Sequence, residues 1–485
     1  MNWKTIIRNV GYALLVSALF MFIALLIALT DKVDSTCVAP LSISFLLTFI
    51  FGVFPFIFVR KTAAISMKEG YVIIVLSWLL SFVFGMLPYV LWGGPFTVIN
   101  AWFESVSGFT ATGATILDDV ESLPKALLFW RSSTHFIGGL GVVVFLLLII
   151  PSSSPMRLRL TNMELSSLSK DSYNSRSNQT VYIFTSVYLA LNVLAFAAYM
   201  LAGMGAFDAI NHAFSVCATG GFSTKNYSIG SFHSLPITLV TMLFMYLSSL
   251  HFGMLFMVVV NRSLRPFNND VFKFYTGTLV LVSIIVSISL HGSGVIDSWR
   301  WAFIDGSFQV LSYASTTGFA ICDNSIWPLF PSVLIMFVGI QCGMAGSTTS
   351  GLRSDRVLLV LKSMGQHRKM TINPSSVLEV RVNGKPLKDS DVEPHVRYVA
   401  VYFLVLVIST LFCLALGSDS TNSMMGTLCC LNNVGPAAGS LGTFFSYNAE
   451  PSMAKFLYSA DMFLGRVEIY PVISVVSFMF SRRKR

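Results

Sequence analysis

Four short glycine turns, each set between long apolar runs, constrain this chain more than any other feature. The clearest is Ser107-Gly-Phe-Thr-Ala-Thr-Gly-Ala-Thr115. Echoes follow at Cys217-Ala-Thr-Gly-Gly-Phe222, Ser315-Thr-Thr-Gly-Phe319 and, most weakly, Asn432-Asn-Val-Gly-Pro436. Aligned on Gly113, Gly220, Gly318 and Gly435, the copies lie 107, 98 and 117 residues apart by subtraction. That period is too long for a solenoid unit. Each copy reads as apolar helix, short semi-apolar segment, glycine turn, apolar helix. Non-helical backbone at membrane depth is tolerated only where it is buried in protein or lines a cavity. Four such segments meeting at an axis would offer rings of carbonyl oxygens able to replace an ion's hydration shell.

Composition makes the membrane reading firm. The 485 residues are 54% hydrophobic and 11% charged, where a soluble domain is about a quarter charged. The first apolar run, near 10–29, is too long for a signal h-region and lacks a clear cleavage site, so it reads as a retained helix. The expected fold is an all-α polytopic membrane protein of ten transmembrane helices. Two helices, near 4–30 and 38–59, form an N-terminal extension over 1–68. Four helix–pore loop–helix repeats follow around one ion pathway. Repeat one (69–156) has helices near 70–92 and 126–150, and repeat two (180–262) near 180–203 and 234–260. Repeat three (263–351) has them near 271–291 and 326–351, and repeat four (396–485) near 396–416 and 453–480. The short segments 99–109, 209–216, 301–313 and 422–431 cannot span and read as re-entrant half-helices. Cytoplasmic segments occupy 157–179 and 352–395. The latter holds a hairpin candidate turning at Asn383-Gly384.

With this topology, 25 of the 32 Lys and Arg residues fall on the side of the two termini. Positive-inside bias therefore places both termini in the cytoplasm and the glycine turns outside. Asp118, Asp119, Glu121, Asp323, Asp419 and Glu450 fall on the outer face. They read either as a cation-concentrating mouth or as ordinary loop carboxylates. The seven cysteines form no CxxC and read as reduced packing residues. His135, His212, His251 and His291 lack metal-ligand spacing. No GxxxxGK[ST] or GxGxxG occurs, so nucleotide control would come from another subunit.

Together, Thr110-Ala-Thr-Gly113, Ala218-Thr-Gly-Gly221, Ser315-Thr-Thr-Gly318 and Asn433-Val-Gly-Pro436, with the stretch 339–351 and Gly465-Arg-Val-Glu-Ile469, resemble the TrkH branch of the Trk/Ktr/HKT superfamily of potassium transporters. The resemblance covers nearly the whole chain. It implies potassium uptake across the bacterial inner membrane, with K+ as the transported ion, no organic cofactor and no enzymatic step. It also implies a homodimer with one pore per protomer and a cytoplasmic TrkA-type nucleotide-binding ring as partner. In the superfamily, glycine in all four loops accompanies potassium selectivity.

The expected filter comprises Thr110, Ala111, Thr112, Gly113, Ala218, Thr219, Gly220, Thr316, Thr317, Gly318, Asn433, Val434 and Gly435. Backbone carbonyls are the expected ligands, because no ring of carboxylates stands there, and half-helix C-termini would favour a cation in the cavity. The fourth loop departs from the pattern, with valine for threonine and proline after the glycine. The stretch 339–351 is poor helix material and should interrupt the second helix of repeat three. The resemblance makes Gly343, Gly346, Ser347, Thr348, Thr349, Ser350 and Gly351 an intramembrane gate; the plainer reading is a packed kink. Arg353 and Asp355 then mark its cytoplasmic end. Arg466 lies about fifteen residues from either end of the last helix, too deep to snorkel easily. It is expected to face the pore as a barrier to cations, or else to serve a structural ion pair. Glu468 stands on nearly the opposite helix face from it. A secondary transporter coupling K+ to H+ or Na+ through broken helices is the alternative. An intramembrane enzyme would need a convergent catalytic pair, and none is evident.

Overall fold

The computed structural model describes residues 1–30, 32–59, 65–149, 177–374, 378–437 and 439–481. The segment expected at 157–176 and the basic tail after residue 481 lie outside these. Two long helices open the chain: α1 (Trp3–Thr30) and α2 (Val38–Phe58). A Cβ on Gly11 would fall closer than 3.0 Å to the Gly52 carbonyl, so small residues let the two backbones meet. The outward face of α2 carries Leu46, Ile50, Phe54 and Phe58, all exposed. In water so continuous an apolar stripe would be a liability; in a bilayer it is the ordinary surface.

Next come α3 (Met67–Gly85), opened by a reciprocal Ser66–Glu69 cap, and the short α4 (Leu87–Trp92). They lead to the half-helix α5 (Val98–Phe109) and to α6 (Lys125–Ile149). The pattern returns with α7 (Ser177–Leu201), α8 (Ala206–Ala218), α9 (Leu235–Ser249) and α10 (Phe252–Asn261). Then follow α11 (Asp270–Gly292), α12 (Trp299–Ala314) and α13 (Leu329–Gln341). After the polar helix α14 (Ser354–Ile372), it returns once more with α15 (Asp389–Ala415), α16 (Ser420–Asn432), α17 (Ser452–Val467) and α18 (Ile469–Ser481). The short helices α5, α8, α12 and α16 coincide with the four half-helices read from sequence, to within three residues.

Among the described residues, six helices are long and apolar enough to cross a membrane, and the bent pair α9–α10 makes a seventh. The second helix of repeat three is expected to break; the other three, read as continuous, need correction, because each of the four is interrupted. Gly141 takes φ +68° inside α6. The pair α9–α10 bends by 101° at Leu250–His251. α13 ends at Cys342 (φ +55°), and α17 gives way to α18 at Glu468 (φ +69°). Of these interruptions the first, at Gly138-Gly139-Leu140-Gly141, and the third are written as glycine-rich runs.

Packing closes the order into a ring. α6 packs on α8, α9 on α12, α13 on α16, and α17 returns to α5. Away from this ring, β1 (Val380–Val382) and β2 (Lys385–Leu387) pair antiparallel across Asn383 (φ +52°) and Gly384 (φ +76°). These dihedrals suit the Asn-Gly turn. Asn383 exchanges backbone and side-chain hydrogen bonds with Asp270 at the start of α11. Lys362 Nζ joins Asp270 to the Arg381 carbonyl.

Candidate functional site: a junction of four glycine loops

Each half-helix ends with the same backbone turn. A left-handed residue comes first: Ala111 (φ +51°), Thr219 (+56°), Thr316 (+55°) or Asn433 (+57°). A glycine follows two residues later: Gly113 (+81°), Gly221 (+80°), Gly318 (+75°) or Gly435 (+86°). The residue between them donates its N–H back into the half-helix at 2.9 Å in every copy: Thr112 to Ser107, Gly220 to Ser215, Thr317 to Ser312, Val434 to Cys429. This fixes the register. Gly221, not Gly220, is the counterpart of Gly113. The adjacent glycines of the second loop hid the one-residue offset, because matching the Thr-Gly pair selects the wrong one.

The four turns interlock. A Cβ on Gly113 would overlap the carbonyl oxygen of Gly220; one on Gly221, that of Thr317; one on Gly318, that of Val434; one on Gly435, that of Thr112. Every separation is under 3.0 Å, closer than real Cβ atoms come. The relation runs once around all four loops and closes. Glycine is thus demanded twice, by its dihedral and by the neighbouring oxygen. The side chains of Thr110, Ala111, Thr112, Ala218, Thr219, Thr316, Thr317, Asn433 and Val434 are buried. Thr110 and Thr112 share a hydroxyl contact, as do Ser315 and Thr317.

The fourth loop is held differently. Asn433 Nδ2 donates to Thr112 Oγ1 at 2.7 Å and to the Met462 carbonyl at 2.9 Å, clamping loop four to loop one. Tyr447 Oη donates to the Gly435 carbonyl at 2.9 Å.

Outside the junction, hydrogen bonds tie each loop to the next. They run from Arg131 to the Ser223 carbonyl, from Gly230 N to Ala320 O, from Thr443 to Cys322 O and from Tyr447 N to Thr115 O. Asp118, Asp119 and Glu121 belong to this lacing, while Asp323, Asp419 and Glu450 hold their own repeats. Asp118 accepts from Ser446 and Asn448, Asp119 from Asn226, and Asp323 from Ser325 N. Glu121 pairs with Lys225, Asp419 caps α16, and buried Glu450 accepts from Ser418 and Asn422. They are loop tethers first.

On the other side of the junction lies the interruption between α13 and α14. Thr348 Oγ1 donates to the Cys217 carbonyl at 3.0 Å, beneath the second loop. Gly346 O accepts from Phe252 N and Met344 N donates to Ser249 O, so the bend between α9 and α10 seats this segment. Asp355 is buried and accepts from Ala345 N. Arg466 stands in the last turn of α17, not in mid-helix as the sequence suggested, because the helix stops at Val467. Its guanidinium donates to Thr348 O at 2.6 Å, to Ser350 Oγ at 3.0 Å and to the Gly138 carbonyl of α6. Gly343, Gly346, Ser347, Thr348, Thr349, Ser350 and Gly351 therefore form one segment with Arg466 against it.

Glu468, at the break itself rather than on a helix face, pairs with Arg356 at 2.9 Å and Arg353 at 3.3 Å. Arg356 also lies 4.0 Å over the Tyr398 ring. Glu468→Ala should cost about 3–5 kcal/mol, because two largely buried guanidinium groups lose their shared carboxylate. A marked drop in the thermal midpoint of detergent-purified protein checks this; an unchanged midpoint contradicts it. The described residues hold no cluster of three or more His, Cys, Asp or Glu suited to a metal ion.

Fold and junction together define a multi-pass membrane protein in which four loops close around a common centre. The chain belongs to the TrkH family, described as a cation transport protein, whose profile matches residues 41–483. It is similar to the Trk system potassium uptake protein TrkH of Salmonella typhimurium, 32% identical over 87% of this chain and 88% of that one. It is similar also to the Trk system potassium uptake protein TrkG of Escherichia coli, 34% identical over 80% and 79%. The crystal structure of the potassium transporter TrkH from Vibrio parahaemolyticus superposes with a TM-score of 0.87, at 30% identity, over 98% of each chain.

Proposed function

We propose that the protein is a potassium-permeable pore of four pseudo-symmetric repeats, with ten membrane passes once each interrupted helix is counted as one. The observation that carries this reading is the closed ring in which each loop's glycine receives the next loop's carbonyl. A ring of backbone oxygens held by four half-helix ends is suited to take over a cation's hydration shell. The names of the relatives above support potassium as that cation. In this reading residues 343–351 gate the pathway and Arg466 holds the gate. K+ is the transported ion. The protein works in the bacterial inner membrane with both termini cytoplasmic, as a homodimer with a cytoplasmic TrkA-type nucleotide-binding ring.

Purified protein in proteoliposomes, driven by a potassium gradient alone, should take up rubidium. Potassium should suppress that uptake and choline should not. Uptake appearing only with an imposed proton or sodium gradient would overturn the passive pore and establish coupled transport.

A further inference from the structure

Nine positions before the four junction glycines stand Glu104, His212, Gln309 and Gly426. Three of these reach from the half-helix to the chain just beyond the glycine. Glu104, fully buried, accepts from Thr115 Oγ1 at 3.0 Å and from Ile116 N at 3.1 Å. His212 Nδ1 meets the Asp208 carbonyl at 2.8 Å, which can only accept, so that nitrogen carries the proton and Nε2 accepts from Ser223 Oγ at 2.9 Å. Gln309 Nε2 donates to the Cys322 carbonyl at 3.3 Å. At Gly426 the Tyr458 ring fills the place of a side chain, and Tyr447 reaches the Gly435 carbonyl instead. Every loop is thus propped from outside, each by different chemistry.

The first prop is the only ionic one. Arg131 Nε lies 2.7 Å from Glu104 Oε1, with both side chains at most 2% exposed. Arg131 also donates to Thr115 Oγ1 and to the Ser223 carbonyl, each at 3.3 Å, and its guanidinium lies 4.0 Å over the Phe222 ring. One pair therefore fixes the chain two residues beyond Gly113 and two beyond Gly221. Tyr447 N holds Thr115 from the opposite side.

We propose that Glu104 and Arg131 are positioning residues that set ion selectivity, by holding the oxygens of Thr112 and Gly220 at a fixed spacing. The proposal rests on the pore reading above. Preferring a larger monovalent cation over a smaller one requires that the oxygens resist closing around the smaller ion. Charge-assisted hydrogen bonds in a buried site supply that stiffness. A buried pair is poor evidence of stability, since apolar replacement is often neutral. That makes the two roles separable.

The test is the double variant Glu104→Met/Arg131→Met, which removes both charges together and leaves neither unpaired. Alongside it runs Thr115→Val, which keeps the pair and removes one of its links to the loop, leaving those through Ile116 N and the Ser223 carbonyl. Both are reconstituted as full chains, with wild type, and read by rubidium uptake under potassium and sodium competition. Monodisperse elution and a thermal midpoint serve as fold controls. Rubidium uptake should persist while sodium becomes about tenfold more effective as a competitor, the equivalent of one lost charge-assisted hydrogen bond. Thr115→Val should move the same way by a smaller factor. If the double variant does not fold, the loss in Thr115→Val alone supports the proposal. Unchanged competition in whichever variants fold overturns it while leaving the pore reading intact. Wild-type protein that takes up no rubidium down a potassium gradient overturns both.

Discussion

Gly113→Ala should abolish selective rubidium uptake in protein that still inserts and elutes normally. The alanine would sit at φ +81°, a conformation that costs an L-residue about 1–2 kcal/mol. Its Cβ would overlap the Gly220 carbonyl. The obstacle is backbone, so no rotamer change relieves it, and overpacking of this kind adds about 1–3 kcal/mol. The strain is relieved by moving the oxygen that the ion needs. A displacement of that size should lower uptake at least about tenfold. Gly221→Ala should behave alike, through Thr317 O. Gly220→Ala offends differently, since its Cβ would meet the His135 ring. It should recover in part when combined with His135→Ala, whereas Gly221→Ala should not. Gly277→Ala, in open space on α11, is the control and should leave uptake unchanged. Wild-type uptake and selectivity in Gly113→Ala would refute the glycine–carbonyl ring as the pathway.

The junction was legible because turns that need glycine advertise it. Three of the four glycines, all four half-helices and the Asn383-Gly384 hairpin follow from local residue chemistry. The remainder depends on partners far along the chain. Arg131 reads in sequence as a charge near the outer end of the helix expected at 126–150, and nothing near it announces the buried carboxylate 27 residues earlier. The break at Glu468 is flanked by Gly465 and Pro471, and Pro471 can donate no helical N–H to Val467, a signal the reading of one helix over 453–480 passed over. The break coincides with a carboxylate engaged by Arg356, 112 residues away. Leu250–His251 itself carries no glycine or proline, although His251 Nδ1 accepts from Met254 N and so caps α10. The second-loop register failed for a simpler reason. Two adjacent glycines offer two alignments, and only the left-handed dihedrals at Thr219 and Gly221 choose between them. Arg466 was found as a buried charge in need of a partner. That the partners are two carbonyls and a hydroxyl from two other repeats could not be read from its neighbours.

Arg466→Ala should raise cation flux. Residues 343–351 lie beneath the junction, and Arg466 ties that segment, through Thr348 O and Ser350 Oγ, to the Gly138 carbonyl of α6. Hydrogen bonds from a charged donor contribute about 1.5–3 kcal/mol each, and three from one group add less than their sum. A loss near 3 kcal/mol would shift the balance between held and released segment by about a hundredfold. Uptake measured without the regulatory partner should therefore rise at least severalfold. The cation itself would also be gone from beside the pathway, which acts in the same direction. Arg466→Lys separates the two effects. Lysine keeps the charge but lacks the planar fork that serves three oxygens at once, so a gain in flux in both variants points to the tether. A gain in the alanine variant alone points to the charge. If flux in folded Arg466→Ala is unchanged or lower, the side chain is a structural brace and the gate must be held elsewhere.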